Sequence, residues 1–207
     1  MIAVVVGLVC GRALAGGLER MWRSRNPDGR DRLLQAWPPL VFETVTAFLF
    51  VLAAALSRST GSLLWLWSQM ALYLSVTVVD LRSHTIPNRL LLAGLALALC
   101  LFPFQARVAP ESALLGAAAL FATFFLLSLA SRGGVGGGDV KFAGLIGIFV
   151  GLGGALPAFL VTALSGGLTG VVLLVSRRKG RRDVIAFGPF LALGACCVAL
   201  WLHAGTR

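Results

Sequence analysis

Apolar stretches close to the roughly 20 residues that cross a bilayer recur along the whole chain, separated by short polar breaks. They predict helical segments near 1–18, 38–56, 62–79, 88–104, 112–130, 140–156, 158–175 and 185–203. The faintest break separates the sixth from the seventh. There GLGGALPAF, residues 151–159, offers glycines and Pro157 for a tight turn between antiparallel helices. One long kinked helix over 142–175 would instead leave seven spans. No internal repeat or low-complexity tract is visible.

Composition sharpens this pattern. With 58% hydrophobic residues, 13% charged residues and mean hydropathy +0.90 over 207 residues, the chain lacks the polar surface of a soluble domain. The expected fold class is therefore all-α, a polytopic membrane helix bundle forming one membrane-embedded domain over 1–207. The first run resembles a signal peptide only superficially. It has no basic n-region and Arg12 lies inside it, so a retained helix is expected.

Charge orients the bundle. The net charge of +10 sits in short loops, which argues for a membrane boundary rather than a nucleic-acid partner. With eight spans, fourteen of the eighteen Lys and Arg residues fall in 19–37, 80–89, 131–141 and 176–184, all on one side. Merging the sixth and seventh spans would move the cluster at 177–182 to the other side and spoil the asymmetry. Eight spans are expected, with both termini outside and the basic loops in the cytoplasm. Loop 19–37 is too short for a separate domain, and its RDRLLQAW stretch at 30–37 suits a short interfacial helix. Cys10, Cys100, Cys196 and Cys197 all lie in apolar runs without a CxxC, so neither a zinc site nor a disulfide is expected.

Acids at membrane depth are costly, which marks them as site residues. Glu19, Asp28, Asp31 and Asp183 sit among loop arginines, and Glu111 suits a helix start. Glu43, Asp80 and Asp139 remain. Asp80 closes the third span in VTVVDLRSHTIPN, and Asp139 opens the sixth in GGVGGGDVKF. The inferred topology places both at the cytoplasmic boundary although 59 positions separate them. Carboxylates at close range share a proton, which is the requirement for aspartic proteolysis without a metal.

The glycines around Asp139 permit close backbone approach and positive φ, suiting a wetted cavity that admits an extended peptide. The plainer alternative is a flexible loop whose Asp139 merely caps the sixth helix. Asp80 likewise has a plain reading, a helix-end acid paired with Arg82. Ile86-Pro87-Asn88 reads as an extended step into the fourth helix, with Pro at its first position. His84 reads as a solvated residue. Glu43 either pairs with Arg12 or lines the same cavity, and the sequence leaves both open.

At these residues the sequence resembles the prepilin peptidases, GxGD-type intramembrane aspartic proteases. DLRSHTIPN, GVGGGDVKFAGLIGIFVG, IAFGPFLALGA at 185–195 and PPLVFETVTAFLF carry the likeness in the family's order. It implies that Asp80 and Asp139 are catalytic, with Gly136, Gly138, Lys141, Glu43, Pro87 and Asn88 binding substrate or supporting the site. It also implies a prepilin or pseudopilin substrate of a type IV pilus or secretion system. The basic leader would be cut from a hydrophobic helix at the cytoplasmic face of the cell membrane. Many members carry paired CxxC elements that bind zinc between the first two spans, and also methylate the product using S-adenosylmethionine. Residues 19–37 contain no cysteine, so zinc is not expected. Peptidase activity is expected without reliance on methyl transfer or any cofactor. Ala186 replaces a proline of the family's closing stretch. A proton-linked transporter and a non-catalytic assembly scaffold are the competing readings.

Overall fold

The computed structural model describes residues 2–25, 39–105, 107–131, 134–176 and 186–205. The interfacial helix expected at 30–37 and the basic cluster at 177–182 lie outside the described residues. Within them the architecture is helical throughout: α1 (Ile2–Arg25), α2 (Pro39–Leu56), α3 (Thr60–Ser83), α4 (Asn88–Leu101) with a 3-10 turn (Phe102–Phe104), α5 (Pro110–Ala130), α6 (Gly137–Val175) and α7 (Gly188–Ala204). Three of these are long and apolar enough to cross a membrane: Thr60–Ser83, Pro110–Ala130 and Gly137–Leu173. Ile2–Gly17, Phe42–Leu56, Asn88–Phe104 and Gly188–Ala204 are shorter apolar helices.

Helix ends extend past the apolar runs. α1 continues through the charged residues 19–25, because backbone hydrogen bonds propagate a helix whatever its side chains. α3 starts at an N-cap, Ser59, whose hydroxyl accepts the Ser62 amide at 3.2 Å.

α6 contains the one region where the topology had alternatives. Its helix is interrupted at Gly151, with φ 67° and ψ −178°, a combination open essentially to glycine alone. Contacts along α5 show what this break does. Gly151 lies against Ser112, Gly147 against Gly116, and Gly144 against Phe121, so residues 137–150 run antiparallel to α5. Beyond the break, Phe159 meets Phe124 with ring centroids 6.0 Å apart. A straight continuation would carry residue 159 roughly 12 Å past Gly151, away from Phe124. The chain therefore doubles back at Gly151, and 152–175 lies beside both α5 and α7. Thr162 Oγ1 donates to the Phe190 carbonyl at 3.3 Å along the second contact. The turn falls at the first residue of the expected stretch rather than at Pro157, which the returning helix includes. Ser112 Oγ accepts the Leu152 amide at 3.0 Å, capping the restarted helix from α5.

α3 occupies the middle of the bundle. Its Trp65, Leu66, Met70, Tyr73 and Val76 form the core with Phe142, Ile146 and Phe149 of α6 and with Leu191, Ala195 and Val198 of α7. α1 and α2 pair at one side, where Gly7 and Gly11 bring α1 onto Ala47 and Glu43 of α2. Outward positions are apolar as well. Leu152, Leu156, Leu160, Leu164 and Leu168 form an exposed stripe at four-residue spacing.

Candidate active site

Asp80 stands in the last turn of α3. The helix ends because His84 adopts the left-handed conformation (φ 48°, ψ 29°), and its amide donates to the Asp80 carbonyl at 2.8 Å. The chain then passes through buried Ile86 and Pro87. Pro87 has an extended ψ of 134°, so it is the N-cap of α4, one residue before the first helical position expected for it. Asn88 begins the helix and is exposed.

Asp139 lies in the first turn of α6. Its Oδ2 accepts the Gly136 amide at 3.2 Å, a local cap of its own helix, so the capping role weighed for it is real. The start of α6 also rests on the stretch that follows Asp80. At Gly138 a Cβ would lie 3.1 Å from Ile86 Cβ and 3.4 Å from the Ile86 amide nitrogen and carbonyl oxygen. Lys141 Nζ donates to Asn88 Oδ1 at 3.1 Å across the same junction. A Cβ at Gly136 would approach Asp139 Oδ2 to 3.2 Å, whereas Gly137 has open space. Gly136 and Gly138 serve close approach and not positive φ. Among described glycines only Gly151 has a positive φ, and Gly133 lies outside the described residues.

The acids thus share one end of the bundle, on facing elements. Asp80 is 3% exposed and Asp139 9% exposed. α7 completes the corner. The Gly188 amide donates to Asp80 Oδ2 at 2.8 Å, and a Cβ on Gly188 would fall 2.8 Å from that oxygen. Asp139 Oδ1 is buried and has no hydrogen-bond partner among the described residues.

Glu43 lies near the start of α2. It is half-buried on α2 against α1, with its Cα 3.0 Å from where a Gly11 Cβ would stand. Arg12 is exposed on α1. Sequence reasoning missed Gly188 as a site residue, although the FGPF stretch was singled out. It also missed a polar pair inside α3, where the Tyr73 hydroxyl donates to Gln69 Oε1 at 3.2 Å. The signal was available, since glutamine and tyrosine interrupt an otherwise apolar helix face.

Apolar helices with two buried acids at one end fit a membrane protein. A model of the type IV leader peptidase family matches residues 67–171, just over half of the chain. The chain is similar to curated relatives named prepilin leader peptidase/N-methyltransferase. That of Bacillus subtilis is 33% identical over 162 residues, covering 77% of this chain and 64% of the relative. That of Xanthomonas campestris is 33% identical over 128 residues, covering 59% and 45%. That of Aeromonas salmonicida is 30% identical over 200 residues, covering 92% and 67%. The chain belongs to the type IV leader peptidase family. It spans about half to two thirds of the length of the curated relatives it matches. No solved structure matches it.

Proposed function

We propose that this chain is a multi-pass aspartic endopeptidase of the cytoplasmic membrane. It removes the basic leader of prepilin or prepilin-like proteins at the cytoplasmic face, with Asp80 and Asp139 as the catalytic pair. The observation that carries this reading is that two buried acids lie at one end of the bundle, on elements joined through Ile86–Gly138 and Lys141–Asn88. Family membership supports the substrate class, since the relatives are named for prepilin leaders.

Hydrolysis needs one carboxylate ionised and one protonated. The ionised one takes a proton from water as the water oxygen bonds to the scissile carbonyl carbon. The protonated one gives its proton to the carbonyl oxygen. Collapse of the tetrahedral diol breaks the C–N bond. The first carboxylic acid then protonates the leaving nitrogen, and the diol returns a proton to the second. One water is consumed and both acids are restored.

The eight-span arrangement and its sidedness rest on the arginine distribution together with the reversal at Gly151. With Asp80 at the end of α3 and Asp139 at the start of α6, that arrangement sets the acids at the basic, cytoplasmic face, where a leader is accessible. Peptidase chemistry requires no cofactor in this scheme. S-adenosylmethionine enters only if the product is methylated, and the mass of the product's first residue decides that point.

The test is co-expression with a candidate prepilin, following leader removal by mass spectrometry. Asp80→Asn and Asp139→Asn each lose about 10²–10⁴-fold in rate while remaining folded, because asparagine can still accept the Gly188 and Gly136 amides. Continued processing by either variant refutes the two-acid mechanism. Proton flux in liposomes without peptide cleavage would favour a transporter.

A further inference from the structure

We propose that the backbone N–H of Gly188 is a positioning group that makes Asp80 the base of the pair and leaves the exchangeable proton on Asp139. This rests on the endopeptidase reading above.

The two carboxyl groups are held differently. Asp80 Oδ2 accepts a 2.8 Å hydrogen bond from Gly188, the first residue of the 17-residue helix α7. That N–H is among the donors a helix leaves without an internal partner, and the same helix end favours negative charge. Asp80 therefore caps α7 from another part of the chain, and its ionised form is the one that α7 rewards. Only glycine permits the arrangement. A Cβ at position 188 would lie 2.8 Å from Asp80 Oδ2 and 3.0 Å from its Cβ and Cγ.

Asp139 is held more weakly, by a local cap at the start of its own helix α6. Its Oδ2 takes a longer 3.2 Å bond from Gly136 inside its own loop, and its buried Oδ1 has no partner among the described residues. An oxygen that accepts nothing is the one whose protonation breaks no existing bond. An O–H there is free to donate to a substrate carbonyl. Asp80 then takes the proton of the attacking water and later passes it to the leaving nitrogen. Asp139 protonates the carbonyl oxygen and recovers that proton on collapse.

The titratable groups on the elements beside Asp80 are His84 and Arg82 on its own segment, Arg89 of α4, and Asp139 and Lys141 of α6. From Gly188 to Leu202, α7 has no charged side chain, so its contribution is the amide and the helix end.

The decisive variant replaces Gly188 with its α-hydroxy acid counterpart by nonsense suppression. The Phe187–Gly188 amide becomes an ester, and the N–H disappears without added bulk. Full-length protein is reconstituted and kcat, KM and the pH profile are measured on a prepilin-derived peptide. Gly188→Ala, Asp80→Asn and Asp139→Asn are run alongside. The ester variant is expected to lose about 10–100-fold in kcat with KM little changed. Its acidic limb moves about 1–2 pH units upward while the basic limb stays in place, because a carboxylate deprived of a donor holds its proton to higher pH. Gly188→Ala, which forces α7 away from Asp80, loses at least as much. Unchanged kcat and limbs in the ester variant overturn the inference, as does movement of the basic limb alone. If both Asn variants are inactive while the ester variant matches the parent, only this inference falls. If the Asn variants still cleave, the endopeptidase reading falls with it.

Discussion

Gly116→Ala tests how the reversal at Gly151 is held. Gly116 faces the break directly. A Cβ there would sit 2.5 Å from Gly151 C, 2.7 Å from Gly147 O and 2.8 Å from Gly151 O, where ordinary contact begins near 3.4 Å. The shortfall of about 0.9 Å is against backbone atoms, so no rotamer change relieves it and α5 must move off α6. A gap of that size forfeits a quarter to a half of each dispersion contact along the interface. Overpacking of this kind costs about 3 kcal/mol at the upper end, and replacing glycine by alanine within a helix returns about 1 kcal/mol. The net loss is about 2 kcal/mol, or about 4–8 °C in Tm at this chain length. Gly144→Ala is the internal control. It lies on the same interface, but its nearest neighbour, Phe121, would be at an ordinary 3.4 Å. That variant should melt within about 2 °C of the parent or slightly above it. The assay is thermal unfolding of detergent-purified protein. Equal melting of the two alanine variants would show that backbone contact at Gly116 does not hold the turn.

Two further predictions concern polar contacts between and within helices. Lys141→Met and Asn88→Ala each remove the 3.1 Å bond between α6 and α4 and should lower kcat/KM by about 2–10-fold, and the double variant should be no worse than the worse single one; an additive double loss in the peptide-cleavage assay would mean the bond is not shared. Inside α3, Gln69→Met leaves the buried Tyr73 hydroxyl without its acceptor and should cost about 1–3 kcal/mol, whereas Gln69→Met with Tyr73→Phe removes both groups and should recover most of that loss. Thermal unfolding of the four proteins in the cycle gives the coupling, and a double variant less stable than Gln69→Met alone contradicts it.

Much of the fold was legible because a membrane segment must be both apolar and long, and loops then announce themselves by charge. The limits of legibility are equally physical. α1 runs on through 19–25 because its backbone needs no apolar side chains to continue, and hydropathy does not register that. In GLGGALPAF, glycine and proline both signal a turn, but only a residue free of Cβ reaches φ 67° with ψ −178°. The selection of Gly151 over its neighbours came from α5, where Ser112 supplies a cap for Leu152 and Gly116 leaves room for the backbone. Both contributions depend on residues some forty positions away.

The site shows the same division between what a side chain advertises and what a backbone does. Asp80 and Asp139 stood out because charge at the edge of an apolar span demands a reason, and the structure brings them to one end of the bundle. Lys141 and Asn88 could each be marked by resemblance, but a bond spanning 53 positions is a property of packing. Gly188 acts through an amide that every non-proline residue possesses, so nothing in its side chain announces it. Its identity is informative only once Asp80 is seen less than a methyl group's width from its Cα hydrogen. Gly138 follows the same logic against Ile86, and Gly116 against the turn at Gly151. In the proposed mechanism the acids supply the chemistry, while glycines at three helix junctions set how closely the elements that hold and support those acids approach one another. Adding a single methyl group at Gly188 should therefore disable the site nearly as thoroughly as removing a carboxylate.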